Sequence, residues 1–187
     1  MTAGRKVRRF HLRGRSPMRE IRLPITLITP EAFAPFGRLF APPGPRSFGR
    51  DNFDGWIMPF AAEGPPRLQY VRYKPRDARV EIIERHLFVT ETRQQISGSH
   101  CVLVVAPSSD APPDPAAMIA FDLRGHGIML HPGTWHSIDA YPLGEEPGDY
   151  LFLSEEATVA ELFDGTPEPK RSRVHDFRKA GVDLRFG

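Results

Sequence analysis

The segment Glu84-Arg-His86-Leu-Phe-Val-Thr-Glu91-Thr-Arg-Gln-Gln-Ile-Ser-Gly98 sets Glu84, His86 and Glu91 inside one β-prone run that ends in glycine. Side chains alternate along a strand, so Glu84 and His86 share a face and Arg85 takes the other. Glu91 lies five positions beyond His86, on the opposite face of a continuous strand. It joins the first two only if a turn or bulge intervenes, and Gly98 then marks the next turn. A second fragment, Pro132-Gly133-Thr-Trp-His136, delivers another imidazole just after a Pro-Gly turn, and a sheet that closes on itself would set it beside the other three. Two imidazoles and two carboxylates would then converge. Such a set can hold a divalent ion, of which Mn, Fe, Ni and Zn are the candidates, or act without metal as general acids and bases. The residues leave both open. Chance pairing of polar groups at a sheet rim accounts for one histidine more readily than for four positions in register across two segments.

Working outward, the chain reads as many short strands. Ile21–Leu27 has strand character, and Thr29-Pro-Glu-Ala-Phe33 reads as an N-cap, a proline at the first helical position and a short helix ending near Phe36-Gly37. Asn52–Met58 reads as a hairpin turn and strand, with Asp54-Gly55 as the turn signal. Leu68–Tyr73, Val80–Val89, His100–Ala106, Met118–Leu123, Gly127–His131, Ser137–Tyr141 and Tyr150–Leu153 are further strands, parted by clusters of turn formers. The 20 Pro and 16 Gly among 187 residues disfavour long helices. Length and pattern give one mainly β domain, a sandwich or barrel rather than a βαβ sheet, with one or two short helices. Its bounds are 21–165, after a basic tail at 1–20 expected to be disordered and before a charged C-terminal extension at 166–187 with few apolar anchors.

A net charge of +2, with the basic excess gathered in the tail, does not describe a nucleic-acid surface. No apolar run is long enough to span a bilayer and the beginning has no secretory signal, so the expected place is the cytoplasm. Cys101, the one cysteine, sits in the apolar run Cys101-Val-Leu-Val-Val-Ala106 and reads as a buried thiol without a catalytic role. Trp135 and Phe121 read as packing residues and Trp56 as packing or cover for a cavity mouth. His126 reads as a loop residue and His131 as intermediate, while His11, His100 and His175 read as surface or sheet positions.

The Glu84–Gly98 segment resembles the first cupin motif, with Glu84 standing where the motif's first His would be, and Pro132–His136 resembles the end of the second. A cupin-like β-barrel, the double-stranded β-helix or jelly roll, is the fold this implies. More specifically, Glu84-Arg-His86, His131-x-x-x-Trp135-His136 and Ile28-Thr-Pro-Glu-Ala-Phe-x-x-Phe-Gly37 are similar to the ureidoglycolate lyase family, a match running from about residue 21 to 165. The chain departs from that family's pattern at Glu91, where an uncharged Gln follows the Thr. The extra carboxylate strengthens a metal site and alters the charge offered to an anion.

The resemblance implies a homodimeric carbon–nitrogen lyase of the amidine-lyase class that splits ureidoglycolate, a small carboxylate of purine and allantoin breakdown, into glyoxylate and urea. That reaction needs a base for the hydroxyl proton, an acid for the departing nitrogen and a cation for the carboxylate. His86 or His136 is the expected base, the other His or Glu91 the acid, and Arg72, with Tyr70 on its face by parity, the expected substrate grip. Glu84, His86, Glu91 and His136 are the expected ligands if a divalent ion is bound. Two rival readings stand beside the lyase. One is a metal-dependent cupin isomerase or oxygenase acting on a small carboxylate; the other is a barrel that binds a small acid without turning it over.

Overall fold

The computed structural model describes residues 18–166 and 168–187. The expected N-terminal tail, apart from its last three residues, and His11 with it, lies outside the described residues. In chain order the elements are β1 (Arg19–Leu23), β2 (Ile25–Leu27), α1 (Pro30–Phe33), β3 (Gly37–Leu39), β4 (Phe48–Arg50), β5 (Phe53–Gly55) and β6 (Pro66–Tyr73). There follow β7 (Arg79–Val80), β8 (Ile82–His86), β9 (Glu91–Gly98), β10 (Cys101–Ala106), β11 (Ile119–Asp122), β12 (Ile128–Leu130) and β13 (Trp135–Ser137). The chain finishes with β14 (Tyr141–Pro142), β15 (Gly148–Glu155), α2 (Glu156–Phe163), β16 (Ser172–Asp176) and β17 (Val182–Phe186). The result is mainly β with two short helices, in keeping with a cupin-like fold. Among the described residues no helix is long and apolar enough to cross a membrane.

Three layers organise these strands. The central sheet runs β16-β8-β13-β10-β11-β2, the sheet facing it runs β3-β12-β9-β15-β6, and a small sheet β1-β17-β7 covers the other side. The apolar run of β10 follows from this position. Its odd residues Cys101, Leu103 and Val105 pack with Ile128, Leu130, Tyr150 and Phe152 of the facing sheet. Its even residues Val102, Val104 and Ala106 pack with Leu23, Val80, Leu184 and Phe186 of the cover. A strand buried on both faces has no position left for a polar residue. Cys101 is fully buried there as a free thiol, and Phe121 and Trp135 are core residues as expected.

The helix predicted at Thr29 forms. Thr29 Oγ1 accepts from the Ala32 N–H at 3.1 Å and Pro30 occupies the first turn. Its buried Phe33 meets Phe121 edge to face at 5.6 Å, closing that end of the core.

Several expected boundaries differ. Ile21–Leu27 is two strands in two sheets, because Pro24 has no N–H to continue a ladder: β1 pairs in parallel with β17, and β2 with β11. The hairpin at 48–55 turns at Asp51-Asn52, so Asp54-Gly55 belongs to strand β5 instead of the turn. Val80–Val89 breaks at Glu81 and ends at His86. The strand placed at Ser137–Tyr141 lies earlier, at Trp135–Ser137, because Ser137 bends the chain by donating from Oγ to the Asp139 carbonyl at 2.7 Å while accepting the Val104 N–H. The second of the one or two short helices expected, for which the sequence offered no position, is α2 at Glu156–Phe163. The C-terminal extension supplies β16, which pairs with β8, and β17, which lies between β1 and β7.

Candidate active site

Strand β8 carries Glu84 and His86 on one face, while Ile83 enters the outer core and Arg85 lies over the Trp135 ring at 5.2 Å. After His86 the chain leaves the central sheet. Thr90 pins the crossing, its N–H donating to the Ala61 carbonyl at 2.8 Å and its Oγ1 accepting from the Ala61 N–H at 3.0 Å. Glu91 then opens β9 in the facing sheet. The interruption that parity demanded is thus a change of sheet, which turns Glu91 back toward His86. Strand β13 runs antiparallel to β8 with His136 opposite Glu84. The turn before it contains Gly133 at φ 85°, whose N–H donates to the His86 carbonyl at 2.6 Å. A Cβ there would meet Ser108 Oγ at 2.6 Å, a contact that rotation of the hydroxyl relieves, so it is the positive φ that favours glycine.

The four residues meet. His86 Nε2 lies 3.1 Å from Glu91 Oε2 and 3.8 Å from Glu84 Oε1, and His136 Nε2 lies 3.7 Å from both Glu84 Oε1 and Glu91 Oε1. All four are buried. A fifth residue completes the cluster: Arg93, fully buried one step along the same face of β9, donates from Nε to Glu91 Oε1 at 2.6 Å. Its guanidinium stacks over Phe152 at 4.8 Å, and its Nη1 has no hydrogen-bond partner among the described residues.

Burial and charge sort the protonation states. Burial alone would raise the Glu91 carboxyl, but Arg93, His136 and His86 together hold it well below the usual range, so it is ionised. Burial pushes Glu84 up, and His86 offsets this only in part. For His86, burial favours the neutral ring but is outweighed by the hydrogen bond to Glu91 and the charges of Glu84 and Glu91, so its value rises. Burial takes His136 down to about 3, which leaves it neutral at physiological pH.

The hydrogen-bond partners fix the two rings in different forms. The Nδ1 of His136 faces the Thr134 carbonyl at 3.1 Å, which can only accept, so the hydrogen sits on Nδ1. Its Nε2 keeps the lone pair and has no partner among the described residues. In His86 it is Nε2 that must carry a hydrogen, since it faces the ionised Glu91, while Nδ1 lies 3.0 Å from Ser172 Oγ.

Glu84, His86, Glu91 and Arg93 form the charged end of a cavity of about 500 Å³ between the two larger sheets and α2, which Val159, Leu162, Phe163 and Val174 also line; His136 lies behind Glu84 and Glu91 and is not among the lining residues. The expected substrate grip is not in it. Gln69, Val71 and Tyr73 take the cavity face of β6, so by the same alternation Tyr70 and Arg72 point away. Arg72 is instead clasped by Asp149 on the neighbouring strand, at 2.7 and 2.9 Å, and touches the exposed Tyr70 hydroxyl. The buried cation that faces the site is Arg93. The alternation from Glu91 to Arg93 was the signal that could have found it.

Among the described residues the other histidines stay apart from this cluster, His175 packing edge to face on Phe177 at 4.8 Å. Trp56 donates to the Gly44 carbonyl at 2.9 Å and does not line the cavity.

Glu84, His86 and His136 each offer a ligand atom within 4.8 Å of the others and so could hold a metal ion. The donor chemistry fits a divalent cation: two imidazoles, one carboxylate and an unpartnered buried nitrogen. Glu91, the fourth expected ligand, is outside this set, because Arg93 and His86 already occupy its oxygens.

Comparison with known proteins agrees with the family resemblance of the sequence. A family model described as ureidoglycolate lyase matches residues 20–166. A ureidoglycolate lyase of Burkholderia cepacia is 34% identical over 125 residues, covering 61% of this chain and 70% of that protein.

Proposed function

This chain belongs to the ureidoglycolate lyase family, and from that premise we propose that it cleaves ureidoglycolate to glyoxylate and urea by acid–base chemistry between its two buried histidines. The observation that carries this reading is their opposite form in one buried cluster: His136 Nε2 offers a lone pair and His86 Nε2, at the cavity wall, a proton. His136 takes the proton of the substrate hydroxyl as its oxygen becomes the aldehyde carbonyl of glyoxylate. The carbon–nitrogen bond breaks with its electron pair going to nitrogen, and His86 delivers the proton that makes urea a neutral leaving group.

The imidazolium forming at His136 faces the carboxyl oxygens of Glu84 and Glu91, each 3.7 Å away, which offsets the cost of charging a buried ring. Glu84 lies between the two Nε2 atoms and is placed to return the proton from His136 to His86. Glu91 serves by holding His86 in its acid form. Arg93 replaces Arg72 as the carboxylate anchor, through the Nη1 that faces no protein acceptor. If a divalent ion is bound, Glu84, His86 and His136 would hold it and it would polarise the substrate oxygen. The reading includes a cytoplasmic homodimer, on the resemblance named above; light scattering on the purified chain tests the dimer.

The experiment is a glyoxylate-release assay on ureidoglycolate with His136→Ala as control, alongside elemental analysis of the purified chain. Release that His136→Ala abolishes is the expected result. Stoichiometric metal with no release would overturn the lyase and leave the metal-dependent cupin enzyme.

A further inference from the structure

Resting on that reading, we propose that Ser172 is a positioning residue for His86, carried to the site by strand β16 and held in register by Glu161. Ser172 lies beyond residue 166, where the family model's match ends, so the segment that completes the site is one the resemblance does not cover. It is fully buried, pairs with His86 in the antiparallel ladder of β16 and β8, and places Oγ 3.0 Å from Nδ1.

A hydroxyl is suited to this position because its oxygen accepts from the Nδ1–H that His86 carries as an acid. As the imidazolium, His86 carries hydrogen on both nitrogens, and Nδ1 keeps its own when Nε2 gives up its proton, so the Nδ1–H donates to Ser172 Oγ before and after the transfer and the ring keeps its plane through the reaction. The carbonyl that faces Nδ1 of His136 can only accept, which suits a ring whose Nδ1 always carries hydrogen.

The serine is itself held by an unusual clamp. The Glu161 carboxylate, on α2, accepts three consecutive backbone N–H groups: Lys170 at 2.6 Å, Arg171 at 2.9 and 3.0 Å and Ser172 at 2.9 Å. The Arg171 side chain, pinned to the buried Glu155, keeps the same turn against the body of the protein. One carboxylate thus sets where β16 begins, and β16 begins at the residue that touches His86.

The test compares Ser172→Ala, Ser172→Thr and Glu161→Gln in the full chain, reading kcat and KM for glyoxylate release together with imidazole 15N spectra of His86 without substrate. Ser172→Ala is expected to lower kcat about 10- to 100-fold, the usual effect of removing an outer partner of a working histidine, with KM within about 2-fold. Ser172→Thr, which keeps the hydroxyl, is expected to restore most of kcat, and Glu161→Gln to lower kcat less than Ser172→Ala does. In the spectra, Ser172→Ala is expected to change the Nδ1 signal and broaden the ring resonances. An unchanged kcat in Ser172→Ala, a loss confined to KM, or equal losses in the Ala and Thr variants would overturn the proposal. If the unaltered chain releases no glyoxylate, the lyase reading fails by itself. The His86 spectra then decide whether Ser172 positions the ring: an altered Nδ1 signal in Ser172→Ala supports it and an unaltered one overturns it.

Discussion

Replacing Arg93 with Met removes one half of a buried ion pair while roughly keeping its length. Glu91 would be left ionised between His86 and His136 with its strongest partner gone, at a position almost closed to water. Breaking one side of such a pair costs about 3–5 kcal/mol, most of it from the stranded charge rather than the lost contact. For a chain of this size each kcal/mol moves the melting temperature by about 2–4 °C. A fall of roughly 6–20 °C is therefore expected for Arg93→Met. Met still packs on Phe152, so little of the fall is attributable to a cavity. Glu91→Gln alone strands the arginine and should also destabilise. The double variant Glu91→Gln/Arg93→Met strands neither, and should recover part of the loss, with a coupling energy of about 0.5–3 kcal/mol. Urea and thermal unfolding of the four proteins measure this cycle directly. A double variant no more stable than Arg93→Met would refute the claim that Glu91 is held ionised by this arginine.

Four further outcomes follow from the site. Because His86 acts as the acid and its value lies above the ordinary 6.5, kcat/KM should fall as pH rises through that raised value, and should show no acid limb from His136 until pH approaches about 3; a pH–rate profile falling instead as pH drops through 6 to 7 would reverse the assigned roles. His136→Ala should lower kcat about 10²- to 10⁴-fold with the far-ultraviolet circular dichroism unchanged. Arg72→Ala should leave kcat/KM within about 3-fold, since its fork is spent on Asp149, whereas Arg93→Lys should raise KM about 10-fold by losing the planar fork. Titrating metal-stripped protein with Zn²⁺ should raise its melting temperature, with about 2.7 kcal/mol of added stability at a hundredfold excess over Kd; Glu84→Gln should remove most of that gain by taking one of the three donors.

The fold was legible where local chemistry determines local structure. Thr29-Pro30 caps a helix whatever surrounds it, and the apolar run at 101–106 could only be a strand covered on both sides. Boundaries failed where a distant partner decides them. The sequence around Ser137 reads as a continuing strand, and only the hydroxyl's bonds to Asp139 and Val104 show why the chain bends there. The charged, sparsely apolar stretch after residue 166 gave no sign that β16 would extend the central sheet, because an edge strand needs few apolar residues once another strand supplies its ladder.

The same division explains the site. Glu84, His86 and His136 could be placed together because parity within a strand and a turn before the next are local facts. Tyr70 and Arg72 could not be placed relative to the cavity because parity relates them to each other but does not say which face of β6 turns inward. That is decided by Tyr73, whose ring packs against Tyr150 and Phe152 in the core and commits Gln69 and Val71 to the cavity side with it. Tyr70 and Arg72 must then face out, where Asp149 receives the guanidinium. Applied to β9 the same logic runs forward: once Glu91 faces the cavity, Arg93 must as well, and an arginine forced inside needs the carboxylate two residues before it. Glu91 is thus the partner that lets this chain carry a buried arginine at the charged end of the cavity, and the net charge offered to an anion there is set by the pair and not by the glutamate alone.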